Sequence, residues 1–432
     1  MGGDGGHVTQ HVYEALRAMK NGKLDAAFLH CDGVRRVFAM LDGAGEETRI
    51  VGGAVRNALM GVPVADVDFT TTATPDEIVR RAKAARLKCV PTGFEHGTVT
   101  IVVDGVPHEV TTLREDIETD GRRAKVLFGR SFENDAFRRD FTMNALSITA
   151  DGRVFDYANG LEDIAARRVR FIGEARQRIR EDYLRSLRFF RFHAAYGVGA
   201  MDKDAFNAII TERAGLETLS RERIGAELLK LLVAPRAAEV AADISDAGLL
   251  LPLLGGILLP ARLARVAAIE AARGEAPDAV LRLGALCVLS SHDCGRLRDT
   301  IRASKAMISR MEHACIALFQ PLYHAAPAPR ELRALLFEQG RTTARDAITL
   351  AHAQSRAAPD DAAWLSAWRF ARDTPEPRSP FSGADLMARG LPGGRQMGAT
   401  LKRLQASWIR AGFPTDPTEL ARLIDEAMPA TK

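Results

Sequence analysis

Asp66 and Asp68 stand one residue apart. In an extended segment that spacing puts both carboxylates on one face, because strand side chains alternate. Two such acids repel each other unless a cation lies between them. Hard divalent ions such as magnesium take oxygen ligands and leave positions open for substrate phosphates. A surface turn with two solvated acids is the alternative reading of an isolated Asp-x-Asp, and the residues upstream weigh against it. Gly52 and Gly53 close an apolar run and open a helical stretch over residues 54–60. Glycine lets the chain turn tightly and lets a ligand approach the backbone. The first amides of a helix are unpaired and carry partial positive charge. The Arg56 guanidinium adds a planar fork that matches phosphate oxygens. With the acid pair ten residues after Arg56, these features describe a triphosphate cradled beside its metals.

Residues 98–103 and 106–113 are β-rich runs around Asp104-Gly105, a two-residue hairpin signal. In the second run Val106, His108 and Val110 share one face while Pro107, Glu109 and Thr111 share the other. Glu109 is a candidate third acid near the metals; an edge-strand glutamate facing water is the other reading. His108 reads as a partly exposed strand residue rather than a ligand. After Arg114 comes Asp120-Gly-Arg-Arg-Ala-Lys, a basic loop carrying Arg122, Arg123 and Lys125. In Arg138-Arg-Asp-Phe-Thr-Met-Asn-Ala, the side chains of Asp140, Thr142 and Asn144 read as scaffold that satisfies buried backbone groups.

Glu181-Asp-Tyr-Leu-Arg-Ser-Leu-Arg-Phe-Phe-Arg-Phe reads as one helix, with Asp182, Arg185, Arg188 and Arg191 at every third position. Each step of three rotates the helix by about −60°. Asp182 and Arg185 are therefore neighbours, and Arg191 lies on the far side. The division this suggests sets Asp182 and Arg185 toward a nucleobase, with Arg188 and Arg191 fanning toward phosphates or structural acids. Glu181 and Arg185 also have the spacing of an ordinary i,i+4 ion pair. Cytosine and adenine both present an exocyclic amine beside a ring-nitrogen acceptor, whereas guanine and uracil present a carbonyl beside an N–H. An aspartate accepting from the amine and an arginine donating to the ring nitrogen suit C and A. Hydrogen-bonding groups left unpaired by a wrong base make rejection strong.

A chain of 432 residues forms roughly two to four domains. Its hydrophobic content of 47% and charged content of 26% are those of an ordinary soluble protein. No apolar run approaches the ~18 residues of a membrane span, and the start, Met-Gly-Gly-Asp-Gly-Gly, lacks the basic and apolar segments of a signal peptide. The five cysteines form no C-x-x-C pair, so free thiols in a reducing cytoplasm are expected, without structural zinc. The net charge of +4 favours an acidic partner only mildly, but arginines outnumber acids between Arg153 and Arg191. Strand and helix signals mix over the first 150 residues; from about Leu161 helical periodicity takes over. His292-Asp293 finds no further histidines and aspartate to complete a phosphohydrolase metal site and reads as helix capping. Trp364, Trp368 and Trp408 fall in helical patterns and read as core.

These segments together resemble the class II tRNA nucleotidyltransferases, the CCA-adding enzymes, and their bacterial poly(A) polymerase relatives, within the polymerase-β-like nucleotidyltransferases. The resemblance is carried by residues 50–68, by residues 138–145 against R-R-D-x-T-x-N-A, and more loosely by Asp156-Tyr-Ala-Asn-Gly-Leu-Glu-Asp. Further on it is carried by Ser220-Arg-Glu-Arg-Ile-Gly-Ala-Glu-Leu and by the tail element that begins at Phe381. Asn57 stands where that family usually has aspartate.

The resemblance implies an α+β fold: a polymerase-β-like nucleotidyltransferase head with a mixed sheet, followed by an elongated all-α neck, body and tail. The implied division is a head over residues 1–150, a neck with the base-reading helix over 151–240, a body over 241–372 and a tRNA-contacting tail over 373–432. It implies template-independent addition of C, C and A to the tRNA 3′ end from CTP and ATP, with release of pyrophosphate. Asp66, Asp68 and Glu109 are the implied catalytic acids, with Mg2+ on Asp66 and Asp68. Gly53, Arg56, Arg139, Asp182, Arg185, Arg188 and Arg191 are the implied nucleotide contacts. Glu222, Arg223 and Glu227 brace the neck, and the basic loop after Arg114 serves movement from one nucleotide to the next. Arg389, Arg395, Lys402 and Arg403 are candidate tRNA contacts in the tail, or solvated helix charges. A poly(A) polymerase, a CC-only or A-only enzyme, and a catalytically silent RNA-binding protein are the rivals. Val90-Pro-Thr-Gly-Phe-Glu-His-Gly-Thr-Val-Thr looks CCA-like rather than poly(A)-like, and intact Asp66 and Asp68 argue against a silent protein.

Overall fold

Runs rich in valine, isoleucine and threonine favour a pleated backbone and form β1 (Thr48–Val51), β2 (Phe69–Thr71), β3 (Lys88–Gly93), β4 (Thr98–Val103) and β5 (Val106–Thr112). They are followed by β6 (Arg114–Ile117), β7 (Lys125–Phe128), β8 (Ser147–Ile148) and β9 (Val154–Phe155). The computed structural model describes residues 3–428 apart from 20, 118–124 and 319–324. Seven strands join in the order β3-β4-β5-β2-β1-β8-β9, and β6 and β7 pair separately. Neighbours in the larger sheet are antiparallel except β2 with β5. That parallel pair sets Phe69 beside Val110, so the segment entering β2, which carries Asp66 and Asp68, runs alongside Glu109.

The β4–β5 hairpin turns on Asp104 and Gly105, whose φ values are 49° and 85°. Two successive positive φ values are what a type I′ turn requires. One face of the sheet buries Phe69, Val99, Ile101 and Val110 against the helices Asp32–Leu41 and Pro75–Ala84. Phe38 stands edge-on to Phe69 with ring centroids 5.2 Å apart. His108 belongs to this face: it is 7% exposed and edge-on to Phe69 at 5.9 Å. The partly exposed histidine expected from the sequence is thus corrected. β5 lies inside the sheet between β4 and β2, and Gly33 approaches so closely that a Cβ there would sit 2.9 Å from Nε2 of His108. Burial pushes this imidazole's pKa below its ordinary value. The opposite face carries Glu109 and Thr111 beside Thr100 and Thr98.

Beyond β9 the unit Met1–Val240 is helical. A cluster of phenylalanines fixes residues 138–145 to the helix Leu184–Tyr196: Phe141 lies 5.0 Å from Phe192, and Phe171 stacks on Phe189 at 5.7 Å. The stretch read as one helix from Glu181 is in fact two. The helix Ala175–Glu181 ends before Asp182, whose backbone is extended (φ −156°, ψ 105°), and the next begins at Leu184. Oδ1 of Asp182 accepts the Leu184 N–H at 3.1 Å, the local competition with helical bonding that aspartate favours. The angular argument from a continuous helix therefore holds from Arg185 onward but not for Asp182.

In the second unit, Ala241–Lys432, the described elements are helices. Trp364 and Trp368 pack into one core with Leu335, Leu336 and Ile348; Trp408 packs into another with Phe381, Leu404 and Leu423. Asp293 accepts the N–H groups of Leu289 and Ser290 at 2.8 and 2.9 Å at the start of the helix Ser291–Ile301, the capping role expected of it. Among the described residues no helix is long and apolar enough to cross a membrane. All five cysteines are unpaired thiols.

Candidate nucleotide and metal site

β1 passes into the helix Gly53–Met60 through Gly52, at φ 68° and ψ −119°, a conformation that side chains disfavour. The Gly52 N–H donates to the Leu146 carbonyl at 2.9 Å. A Cβ at Gly52 would lie 2.9 Å from Nη1 of Arg139. The glycine thus serves twice, making the strand-to-helix turn and letting Arg139 lie over it.

Asp66 and Asp68 are exposed and lie in the segment that enters β2, which itself begins at Phe69. The Val51 N–H donates to the Asp68 carbonyl at 3.1 Å, so the β1–β2 ladder fixes the backbone of Asp68. Partial desolvation by the neighbouring strands, then the negative charges of Glu109 and Asp66, raise the Asp68 carboxyl above its ordinary value, with Arg139 opposing them. Acids that share a confined space behave this way. Glu109 is therefore no edge-strand residue; β2 and β5 bring it to the acid pair. Among the described residues no three ligating side chains are gathered closely enough to hold a metal by themselves. Two carboxylates with an acid neighbour fit an ion such as magnesium, which keeps waters and completes its shell with substrate phosphates.

Arg139 is the guanidinium that acts on Asp68, and other arginines lie in the layers behind it. Arg56, 6% exposed, donates through Nε and Nη2 to Oδ1 of Asn57 at 3.1 and 2.8 Å and through Nη2 to the Tyr196 hydroxyl at 2.8 Å. Its Nη1 donates to Oδ1 of Asn144, and the group lies 4.1 Å from the Tyr196 ring centroid. All these partners are uncharged, and burial pulls the Arg56 pKa down. Arg139 pairs with Asp135 through Nε and Nη2, at 3.2 and 2.9 Å, and reaches the Asn144 carbonyl at 3.4 Å. Asn144 thus holds Arg56 with its side chain and Arg139 with its backbone, while its Nδ2 donates to Asp140 at 3.0 Å. Asp140, Thr142 and Asn144 are buried, in keeping with their reading as scaffold.

Arg138 shares Asp135 with Arg139. Arg178 donates to the carbonyls of both Arg138 and Arg139 and pairs with Glu181. Arg185 also pairs with Glu181 and donates to the Arg178 carbonyl at 2.9 Å. Four guanidinium groups (Arg138, Arg139, Arg178, Arg185) so share two carboxylates, a positive surplus suited to a polyphosphate. Asp182 accepts from Arg223 at 2.7 Å. Arg188 and Arg191 reach structural acids, Asp140 at 2.7 Å and Glu227 at 2.6 Å, so Arg223 and Glu227 do brace these helices.

Sequence reasoning missed Asp135, Arg178 and Tyr196. Asp135 was within reach, standing three and four residues before Arg138 and Arg139, the spacing of helical ion pairs. Tyr196 lies 140 positions from Arg56 and carries no local signal. Arg122 and Arg123 fall outside the described residues, and Lys125 opens β7. In the tail, Arg389 pairs with Asp425 at 2.8 Å and Arg403 donates to the Thr400 hydroxyl and the Ala427 carbonyl, at 3.0 and 3.2 Å. Arg395 and Lys402 are exposed.

Known proteins resemble this chain in sequence and fold. Residues 48–170 match the Poly A polymerase head domain, and residues 200–258 match the family described as a probable RNA and SrmB-binding site of polymerase A. The mouse (Mus musculus) mitochondrial CCA tRNA nucleotidyltransferase 1 is 32% identical over 425 residues, 95% of this chain and 93% of that one. The CCA-adding enzyme of Geobacillus thermodenitrificans strain NG80-2 is 41% identical over 215 residues, 49% of this chain and 52% of that one. The crystal structure of the Bacillus stearothermophilus CCA-adding enzyme in complex with CTP aligns with a TM-score of 0.70 at 28% identity, covering 90% of this chain and 95% of that one. The mixed-sheet head with its helical continuation is a nucleotidyltransferase fold. The chain belongs to the family of CCA-adding tRNA nucleotidyltransferases and poly(A) polymerases.

Gly52→Ala is expected to lower kcat/KM for nucleotide incorporation on the order of a hundredfold, because it strains the turn and displaces Arg139 by a fraction of its contact distance. Steady-state incorporation, with a melting curve to confirm folding, checks this; a variant within twofold of the parent refutes the close-approach argument.

Proposed function

We propose that this protein adds C, C and A to the 3′ end of tRNA, using CTP and ATP and releasing pyrophosphate. One observation carries the reading. The acids at β2 and β5 connect through Arg139 to the backbone of residues 138–139, and that backbone is gripped by Arg178 and Arg185 beside Asp182. Reaction centre and base-reading residues are thus parts of one network, in a chain similar along its length to the mouse CCA tRNA nucleotidyltransferase 1.

In this reading the tRNA 3′-hydroxyl oxygen bonds to the α-phosphorus, the bond from that phosphorus to the bridging oxygen of pyrophosphate breaks, and the hydroxyl proton passes to solvent. The family depends on divalent metal, and Asp66 and Asp68 are the residues to hold it as Mg2+, with Glu109 beside them. When bound, such ions activate the hydroxyl and stabilise the leaving oxygen. Arg139 and the amides opening the helix Gly53–Met60 face the triphosphate. Arg56, Arg188 and Arg191 work one layer back, through Asn144, Asp140 and Glu227. Asp182 accepts from the exocyclic amine of C or A and Arg185 donates to the ring nitrogen, so U and G leave both groups mismatched. Arg395 and Lys402, with Arg389 and Arg403 beside them, offer positive charge to tRNA phosphates. The unpaired thiols suit a reducing compartment, and we assign the protein to the cytoplasm.

The test offers tRNA ending at the discriminator base, at C, or at CC, with each nucleotide separately. Addition of C, C and A that then stops supports the proposal. A long A tail makes the protein a poly(A) polymerase, arrest after CC or addition of A alone makes it a partial enzyme, and no metal-dependent turnover makes it a binding protein.

A further inference from the structure

Residues 61–68 deliver Asp66 and Asp68 into β2, and one residue of the preceding helix fastens their start. The backbone carbonyl of Asn57 accepts the Val62 N–H at 2.9 Å, and its Nδ2 donates to the Pro63 carbonyl at 3.0 Å. Its Oδ1 takes two bonds from Arg56, at 3.1 and 2.8 Å. These partners determine how the amide is turned: a guanidinium only donates and a carbonyl only accepts, so oxygen faces Arg56 and nitrogen faces Pro63. Among the described residues the next hydrogen bond along this segment is the one from the Val51 N–H to the Asp68 carbonyl. Asp66 thus hangs between two anchors, the Asn57 clasp before it and the sheet after it.

We infer that Asn57 is a positioning residue for the catalytic acids, its amide clasping the loop so that Asp66 meets Asp68 and Glu109. In this chain the side chain is an amide and so donates and accepts at once, where the aspartate usual in the family can only accept. An aspartate in its place keeps the acceptor for Arg56 but turns a carboxylate oxygen on the Pro63 carbonyl, so the clasp opens. It also gives Arg56 a directly bonded anion where its bonded partners are now all neutral, and so reduces the positive charge behind the phosphate site. The inference rests on the proposed reading of Asp66 and Asp68 as the acids of the reaction.

Asn57→Asp and Asn57→Ala separate the donor of the side chain from its acceptor: the first removes the donor to Pro63 while adding charge beside Arg56, the second removes donor and acceptor without adding charge. Amide hydrogen exchange over residues 61–68 reads the clasp without any turnover, and incorporation of C into tRNA reads its consequence. Both variants are expected to raise exchange over this segment by about tenfold and to lower kcat by ten- to a hundredfold, with KM for tRNA and the melting temperature little changed. Asn57→Asp with parental exchange overturns the clasp. Faster exchange with parental kcat overturns its role in positioning the acids. An active Asp66→Ala variant overturns the reading of the acids instead, and the exchange result stands apart from it.

Discussion

Asp66→Ala, and equally Asp68→Ala, lowers nucleotide incorporation by a thousandfold or more, roughly, while the protein folds as before. Both parts of this expectation come from where the side chains sit. The carboxylates are exposed, so shortening them removes little packing, and the bond that fixes Asp68 in the β1–β2 ladder uses its backbone carbonyl. What the carboxylates supply is negative charge where it is costly. Although the residue is solvent-accessible, partial desolvation raises the Asp68 carboxyl, and Glu109 and Asp66 raise it further. Without a cation these three repel, so removing Asp66 relieves strain in the metal-free protein. Asp66→Ala should therefore melt at the parental temperature or slightly above it without magnesium, and should lose the rise in melting temperature that magnesium plus CTP gives the parent. Incorporation assays beside melting curves with and without magnesium check the pair of effects. Near-normal turnover in either variant would remove these acids from the mechanism.

The same acids show how far a sequence can be read without a structure. That the two act on each other was legible from their spacing, although both lie before β2 rather than in a strand, and the Asp104-Gly105 hairpin needs only local turn chemistry. The meeting of Asp68 with Glu109 needs more, since it depends on β2 running parallel to β5, a pairing between separate chain segments that no local pattern dictates. His108 was misjudged for a related reason: its burial follows from strands on both sides and from the approach of Gly33. Asp182 shows the opposite failure. The helical period runs through it unbroken, yet its own side chain bonds the Leu184 N–H and ends the helix. Arg56 reads from the sequence only as a cation for phosphates. Its stacking on Tyr196 and its bonds to Asn57 and Asn144 were not legible, and they place it behind the site rather than at its surface.

Arg185→Ala is the substitution expected to separate base choice from chemistry. In the structure Arg185 is anchored by Glu181 and the Arg178 carbonyl, and Asp182 by Arg223 and the Leu184 N–H. Each is held by its neighbours, so in the proposed reading each would meet a base in a set orientation, which is what lets unpaired groups penalise the wrong one. Removing the Arg185 guanidinium deletes the donor to the ring nitrogen of C or A and the mismatch against U or G together. The expected result is a fall of about a hundredfold in kcat/KM for CTP and ATP, with little fall for UTP, so that discrimination shrinks by a similar factor. Asp182→Asn goes further, because an amide can present a donor to the carbonyl of uracil, and UTP incorporation should rise in absolute terms. Arg223→Ala is the control: it touches no base, frees Asp182 to turn away, and should weaken discrimination less than either. If Arg185→Ala lowers CTP and UTP incorporation by equal factors, Arg185 acts by holding the backbone of residues 138–139 for Arg139, and base reading belongs to other residues.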